Sequence, residues 1–211
     1  MKTEELIRLL SRDGARPVVP LAQSMLLAIV VGLALSAVLF GILLHPRPDI
    51  VAALPTPRFL FKLVFTAALA VAAGALLADA ARPLPRFRGK WSVLAAPALL
   101  VTGVIVELFI QDPQSWRALL MGHNATHCLS LIPLLAIAPA VCLFFILKRG
   151  APARPAVSGA VVGLVAGGIG GLLYAFTCPD DSPLFVATWY SIAIVGVTAV
   201  SSFAGARLLR W

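Results

Sequence analysis

The chain of 211 residues is 60% hydrophobic and 12% charged, and its formal net charge is +8. Its mean hydropathy of +0.97 lies outside the range of soluble domains. This composition excludes a soluble globular fold, and with it the soluble basic face that a nucleic-acid-binding protein would need.

The longest polar stretch is residues 1–19, which we predict to contain a short helix. Thr3 is a suitable N-cap, and two glutamates follow it in the first turn, where the helix dipole favours them. Because a helix of about ten residues is marginal in water alone, its apolar face is expected on a partner protein or on the membrane surface. Both placements stay open. The face consists of Leu6, Ile7, Leu9 and Leu10.

Six apolar runs follow, each near the roughly 20 residues that a helix needs to cross the hydrocarbon of a bilayer. In lipid each peptide group must be bonded within its own segment, so these runs are predicted as helices. The first run is too long for a signal-peptide core and is expected to be retained. The prediction is an all-α protein with a six-helix transmembrane bundle over residues 20–211. The runs are residues 20–44, 59–78, 91–111, 129–147, 157–177 and 184–207.

The basic residues are unevenly distributed between the two sides of this bundle. Thirteen of the 17 lysines and arginines lie before run 1, between runs 2 and 3, between runs 4 and 5, or at the end of run 6. The positive-inside bias therefore places both termini in the cytoplasm. The basic charge is a topology signal in this interpretation, and not a nucleic-acid footprint. The other four are Arg47, Arg58, Lys62 and Arg117.

Glu107 is the one carboxylate well inside an apolar run, four residues from the outer end of the third. An acid inside a membrane span is a functional hypothesis by default. Its depth is shallow, however, and Arg58, Lys62 or a path to water can satisfy it. We favour a structural role over a proton relay.

Two of the three cysteines are predicted to lie at the same height. Cys128 begins the fourth run and Cys178 ends the fifth, and each is about 20 residues, or ~30 Å of helix, from the cytoplasmic turn between the runs. A disulfide needs Cα atoms within about 7 Å, which adjacent helix ends can achieve. We predict pairing or redox coupling, with two unrelated boundary cysteines as the alternative. Cys142 is interpreted as an inert packing residue.

Histidines and aspartates flank these two cysteines. His-x-x-x-His-Cys followed by a distant Cys-x-Asp-Asp could form a mixed metal site, but the spacing is loose. Charged histidines could also lower the thiol pKa. No metal or cofactor is predicted. The weak metal candidates are His123, His127, Cys128 and Cys178.

The fifth run carries a glycine at every fourth position, which forms one ridge along a helix. Small residues at this spacing let two helix backbones approach closely in lipid. The partner helix can be the fourth, the sixth or one from a second copy. The glycines are Gly159, Gly163, Gly167 and Gly171.

No pattern for hydrolysis, phosphate binding or dinucleotide binding is present, so an enzyme is not predicted. A small transporter is one alternative function, and it would need a polar pathway through the spans. A structural membrane subunit that dimerises through the glycine ridge is another.

The chain resembles the NrsF family along its whole length, including the spacing of Cys128 and Cys178. NrsF proteins are six-span anti-sigma factors of Gram-negative bacteria, first named as negative regulators of sigma F. The similar stretches are residues 1–10 (MKTEELIRLL), Arg149-Gly150-Ala151-Pro152, residues 178–185 (CPDDSPLF), Trp189-Tyr190 and residues 207–211 (RLLRW).

The resemblance implies that the protein holds an extracytoplasmic-function sigma factor inactive at the inner membrane. By position, Cys128 and Cys178 match periplasmic cysteines that sense oxidants or heavy metals, and the signal frees the sigma factor. Residues 1–19 match the part that faces the sigma factor, so the apolar face of this segment is a candidate contact. Membrane lipid is the other expected partner, and no direct contact with nucleic acid is expected.

Overall fold

The computed structural model describes residues 21–80, 92–150, 152 and 154–209. Within these ranges the regular structure is entirely helical, and the all-α prediction is confirmed. The predicted helix within residues 1–19, with its face of Leu6, Ile7, Leu9 and Leu10, lies outside the described residues.

The six apolar runs correspond to six long helices in the described ranges. Short helical segments lie between some of them, at Ile50–Ala53, Pro113–Ser115 and Trp116–Met121. The last long helix contains a π-helical turn, Val186–Tyr190. The long helices are α1 (Leu21–Leu43), α2 (Pro57–Ala80), α3 (Ser92–Ile110), α4 (Ala125–Leu147), α5 (Pro155–Ala175) and α6 (Pro183–Leu208).

Five of these helices are long and apolar enough to cross a membrane by length and composition: α1, α2, α4, α5 and α6. The apolar part of α3, Leu94–Ile110, is shorter than the other five. Large apolar side chains such as Val141, Phe145 and Val200 are exposed on the outer faces of α4 and α6. The count of six spans therefore stays a prediction.

Helix α5 lies at the centre of the bundle and packs against α2, α4 and α6. Its glycine ridge faces α6: a Cβ atom built on Gly163 would lie 2.6 Å from the Cα atom of Thr198. Such a distance leaves no room for a side chain, so α5 and α6 are in backbone contact. Gly159 and Gly167 also contact α6, whereas the nearest neighbour of Gly171 is Thr66 of α2. The ridge is thus covered within one chain.

A second close contact joins α1 to α4. A Cβ atom on Gly32 would lie 2.5 Å from the Cα atom of Pro139. Pro139 has no N–H to donate to the carbonyl of Leu135, four residues before it. The hydroxyl of Ser36, which is fully buried, donates to that carbonyl instead at 2.7 Å. The proline in α4 and the serine in α1 therefore complement each other.

Candidate functional site

Cys128 and Cys178 lie in one buried cluster as free thiols. Cys128 is in the first turn of α4, and Cys178 lies three residues beyond the end of α5. Cys128 is 0% exposed and Cys178 is 1% exposed. The cluster also contains Tyr174, Phe185 and Tyr190. The structure thus brings together the two cysteines that the sequence places at one height. Cys142, in the second half of α4, is half-buried and packs against a different apolar cluster.

We call residues 176–182, which connect α5 to α6, the cysteine loop. We call the end of the bundle that carries this loop and Cys128 the cysteine end. Asp180 ties the loop to the start of α4, because its Oδ2 accepts hydrogen bonds from the backbone N–H groups of His123 and Asn124, at 3.0 and 2.9 Å. The side-chain amide of Asn124 donates to the same oxygen at 3.0 Å. A carboxylate at a helix N-terminus is favourable to the helix dipole.

Asp181 ties the cysteine loop to two other parts of the chain. One of its oxygens pairs with the ammonium of Lys62 on α2, and the other with the guanidinium of Arg47 at 2.6 Å. Lys62 also donates to the carbonyl of Cys178 at 2.8 Å. Arg47 pairs in addition with Asp49 at 2.6 Å, which holds the pKa of that carboxyl below its usual range. A half-buried acid and two basic side chains thus lie around the backbone of Cys178.

Glu107 is buried near the end of α3 and pairs with Arg58 at the start of α2, 2.9 Å away. The hydroxyl of Ser182 donates to the same carboxylate at 3.3 Å. The partner of Glu107 is therefore one of the two basic residues that the sequence offered, and Lys62 is engaged elsewhere. A carboxylate that is buried and paired in this way gives no support to a polar transport pathway.

The histidines do not join the thiols. His127 is exposed while Cys128 beside it is buried, so the two side chains lie on different faces of α4. The side chain of His123 is 95% exposed, and its nearest acidic partner is Asp180 at 3.7 Å. Among the described residues no three His, Cys, Asp or Glu side chains gather into a metal-binding group. In the part of the chain that the structure describes, the four weak metal candidates therefore do not come together as one site.

Burial dominates the chemistry of Cys178. The loss of water around its thiol raises the pKa, and the nearby ammonium of Lys62 opposes that rise only in part. Because the thiolate is the nucleophile and the metal ligand, a raised pKa makes the closed site slow to react. Because Cys178 is also only 1% exposed, a reagent reaches its thiol only when the cysteine loop moves.

Two tyrosines complete the site. The rings of Tyr174 and Tyr190 lie 5.8 Å apart, and Phe185 packs edge-on to Tyr190 at 6.3 Å. Tyr190 ends the π-helical turn, a distortion that is frequent at functional sites. Its hydroxyl is buried without a hydrogen-bond partner among the described residues. Nearby, the indole of Trp189 donates to the carbonyl of Leu120 at 2.9 Å and so holds the short Trp116–Met121 helix.

Sequence reasoning missed the roles of Lys62, Arg47 and the two loop aspartates as anchors of Cys178. One signal was available for Lys62: it is a lysine within an otherwise apolar run, Phe59–Phe65, and such residues need a buried partner. The partner itself lies 119 residues away, and no local pattern identifies it.

The fold and the site define a small helical protein with several candidate membrane spans and a buried thiol pair, one member of which lies in an ion-paired loop. A family model, NrsF, described as "Negative regulator of sigma F", matches residues 10–211, and the chain belongs to this family. It is 32% identical over 215 residues to the anti-sigma-F factor NrsF of Caulobacter vibrioides. It is also 32% identical to the probable anti-sigma-F factor NrsF of Azospira oryzae, and both alignments cover all of each chain. No solved structure matches.

Proposed function

We propose that this protein is an inner-membrane anti-sigma factor. It holds an extracytoplasmic-function sigma factor inactive, and it releases that factor when Cys128 and Cys178 react with an oxidant or a heavy metal. Family membership and the names of the two full-length relatives support the anti-sigma role. The observation that carries the sensing role is the meeting of both thiols in one buried cluster.

The proposed topology has six spans, with both termini in the cytoplasm and the cysteine end in the periplasm. Five long apolar helices and the uneven distribution of basic residues support it. Three of the four basic residues assigned to the outer side, Arg47, Arg58 and Lys62, are engaged in ion pairs. Their presence on that side thus has a structural reason that is independent of topology. The periplasm is an oxidising compartment, in which a thiol pair can close.

The proposed sigma-factor contact is the N-terminal segment, residues 1–19, through the apolar face that the sequence predicts. Once docked, this face is removed from water, which favours the complex. The short inner connections supply a second, basic contact surface. Co-purification of the sigma factor with the tagged chain, with and without residues 1–19, tests this part of the proposal.

In the proposed signalling step the two thiols form a disulfide. Two protons and two electrons leave the sulfur atoms for an oxidant such as a peroxide or hypochlorite. The S–S bond then fixes the start of α4 to the cysteine loop. Reversal of a 99:1 equilibrium takes about 5.5 kcal/mol, and one disulfide supplies stabilisation of roughly that order. Thiolate ligation of a heavy metal by both sulfurs would impose a similar link.

The experiment replaces both cysteines with serine and follows transcription from a sigma-dependent promoter. The double variant should repress as the wild type does but should not respond to oxidant. Cys142→Ser is the matched control and should respond normally, because Cys142 lies apart from the site. A full oxidant response in the double variant would refute thiol sensing, and a loss of repression would show that the cysteines are needed for the repressing conformation.

A further inference from the structure

Lys62 is the most deeply buried basic residue among those that the structure describes. It lies in the second turn of α2, and its side chain is 0% exposed. Its ammonium has three oxygen acceptors in the cysteine loop: the carbonyls of Cys178 and Asp180, at 2.8 and 3.4 Å, and a carboxylate oxygen of Asp181. A lysine ammonium has three donors, so the loop uses its full capacity.

Lys62 differs from the other anchors of the loop in the helix and the backbone group that it joins. Arg47 reaches Asp181 and, at 3.4 Å, the carbonyl of Cys178, but it also serves exposed Asp49. Asp180 faces α4, and Ser182 faces α3 through Glu107. Lys62 alone among the described residues joins α2 directly to the backbone of Cys178. If it were lost, the carboxylate oxygen of Asp181 would lose its donor. The carbonyls of Cys178 and Asp180 would keep only long hydrogen bonds, from the guanidinium of Arg47 at 3.4 Å and from the thiol of Cys178 at 3.8 Å, which is costly.

We propose that Lys62 is a positioning residue for the thiol pair: its ammonium holds the cysteine loop, and Cys178 within it, against the buried cluster and links that loop to α2. While the ion pair with Asp181 stands, Cys178 stays in the apolar cluster and reacts slowly. When the pair separates, the loop opens, and the thiol meets water and reagent. The inference rests on the proposed sensing role of Cys178, and it adds the device that controls access to that thiol.

The ammonium of Lys62 has two opposing effects on the rate at which Cys178 reacts. Their relative size decides whether loss of Lys62 raises or lowers that rate. Its positive charge favours the thiolate, so its removal by itself would slow the reaction of an open site. Its hydrogen bonds keep the site closed, so its removal speeds access. Cys178 is only 1% exposed, so no reagent reaches its thiol until the loop moves, and the effect on access therefore dominates. Loss of Lys62 should make Cys178 react faster.

The test measures the rate at which N-ethylmaleimide, a membrane-permeant thiol reagent, labels the full-length protein in native membrane vesicles. One background, Cys128→Ser with Cys142→Ser, leaves Cys178 as the single thiol. A second, Cys128→Ser with Cys178→Ser, leaves Cys142 in the second half of α4 and reports on the integrity of the whole bundle. Each background is combined with Lys62→Met, with Lys62→Arg, and with Arg117→Met, which removes an exposed cation from the same end.

Lys62→Met should raise the labelling rate of Cys178 about tenfold or more, because a buried pair that loses one partner favours the opened loop. The rate at Cys142 should not change. Lys62→Arg keeps a cation and should label within about threefold of the parent protein. Arg117→Met should leave both rates unchanged. Asp181→Asn breaks the same pair from the loop side and should accelerate Cys178 as well, which keeps the test informative if Lys62→Met does not insert.

An unchanged or slower rate at Cys178 in both Lys62→Met and Asp181→Asn would overturn the proposal. Equal acceleration at Cys178 and Cys142 would also overturn it, since Lys62 would then support the bundle as a whole. The labelling assay needs no sigma factor. If labelling behaves as expected but the double-serine variant still responds to oxidant, the sensing proposal fails while the closing role of Lys62 stands.

Discussion

The two ends of the helical bundle are held together by different forces. At the cysteine end, the loop between α5 and α6 is fixed by ion pairs and charge-assisted hydrogen bonds to α2, α3 and α4. At the opposite end, α5 and α6 meet through glycine backbones at Gly159 and Gly205, beside an apolar cluster that contains Leu143, Leu147 and Val162. The ion pairs of the described residues all lie at the cysteine end.

Because of this difference, a chemical reaction can open the cysteine end, whereas the glycine contacts at the opposite end stay closed. Contacts between charged groups in a loop are lost when water or a reagent enters, because water offers the same hydrogen bonds. Close backbone packing has no such substitute and changes only if whole helices separate. A local event at the cysteine end can therefore displace the cysteine loop and the helix ends attached to it. The glycine contacts of α5 hold α2, α4 and α6 together further along the bundle.

The largest expected effect is at the glycine contacts. Gly163→Val would place a side chain 2.6 Å from the backbone of Thr198, and the α5–α6 contact would have to open. We expect a loss of about 3 kcal/mol of stability, measured as a lower thermal midpoint in detergent. Gly196→Val on α6 is the matched control, because a Cβ atom there meets nothing within 4 Å. Equal midpoints for the two variants would contradict the assigned packing.

A smaller effect is expected where the cysteine loop meets α4. Asp180→Ala removes the acceptor for two backbone N–H groups and should cost about 2 kcal/mol, because hydrogen bonds to a charged group are the stronger kind. It should also speed the labelling of Cys128. Asp112→Ala removes a comparable bond from the exposed Pro113–Ser115 turn and should leave that labelling rate unchanged. Equal stability and equal labelling of Cys128 in the two variants would show that Asp180 does not hold the cysteine loop on α4.

The smallest expected effect is at the contact between α1 and α4. Ser36→Ala leaves the carbonyl of Leu135 without a donor and should cost about 1 kcal/mol. Ser130→Ala is the control, because the hydroxyl of Ser130 bonds only carbonyls of its own helix and is exposed. Thermal midpoints of both variants in the same detergent give the comparison. If Ser36→Ala leaves the thermal midpoint unchanged, the carbonyl of Leu135 does not need the hydrogen bond from α1.

The sequence predicted the helices well because apolar length is a local property of the chain. The run of residues 129–147, for example, differs from α4 only at its first turn. The approach of Cys128 and Cys178 was also predictable, since it follows from two helices of equal length that share one turn. Helix α3 was predicted as a span like the others, but its apolar part, Leu94–Ile110, is shorter than the five candidates.

What the sequence could not predict depends on packing between distant segments. The glycine pattern of α5 indicates a close approach but does not say to which helix, and the structure shows α6. Arg58 and Lys62 lie one helical turn apart on α2, and by sequence either could pair with Glu107 or with Asp181. Arg58 pairs with Glu107 and Lys62 with Asp181 because of how α2, α3 and the cysteine loop are oriented in the fold. The sequence alone does not indicate that orientation.

The central claim is that reaction at the cysteine end frees a sigma factor at the other side of the membrane. The most direct measurement is the amount of sigma factor that co-purifies with the full-length tagged protein, before and after cells are treated with an oxidant. The account predicts a stable complex that falls apart in the wild type and persists in Cys128→Ser/Cys178→Ser. Recovery of no sigma factor under any condition, or equal release from both proteins, would contradict it.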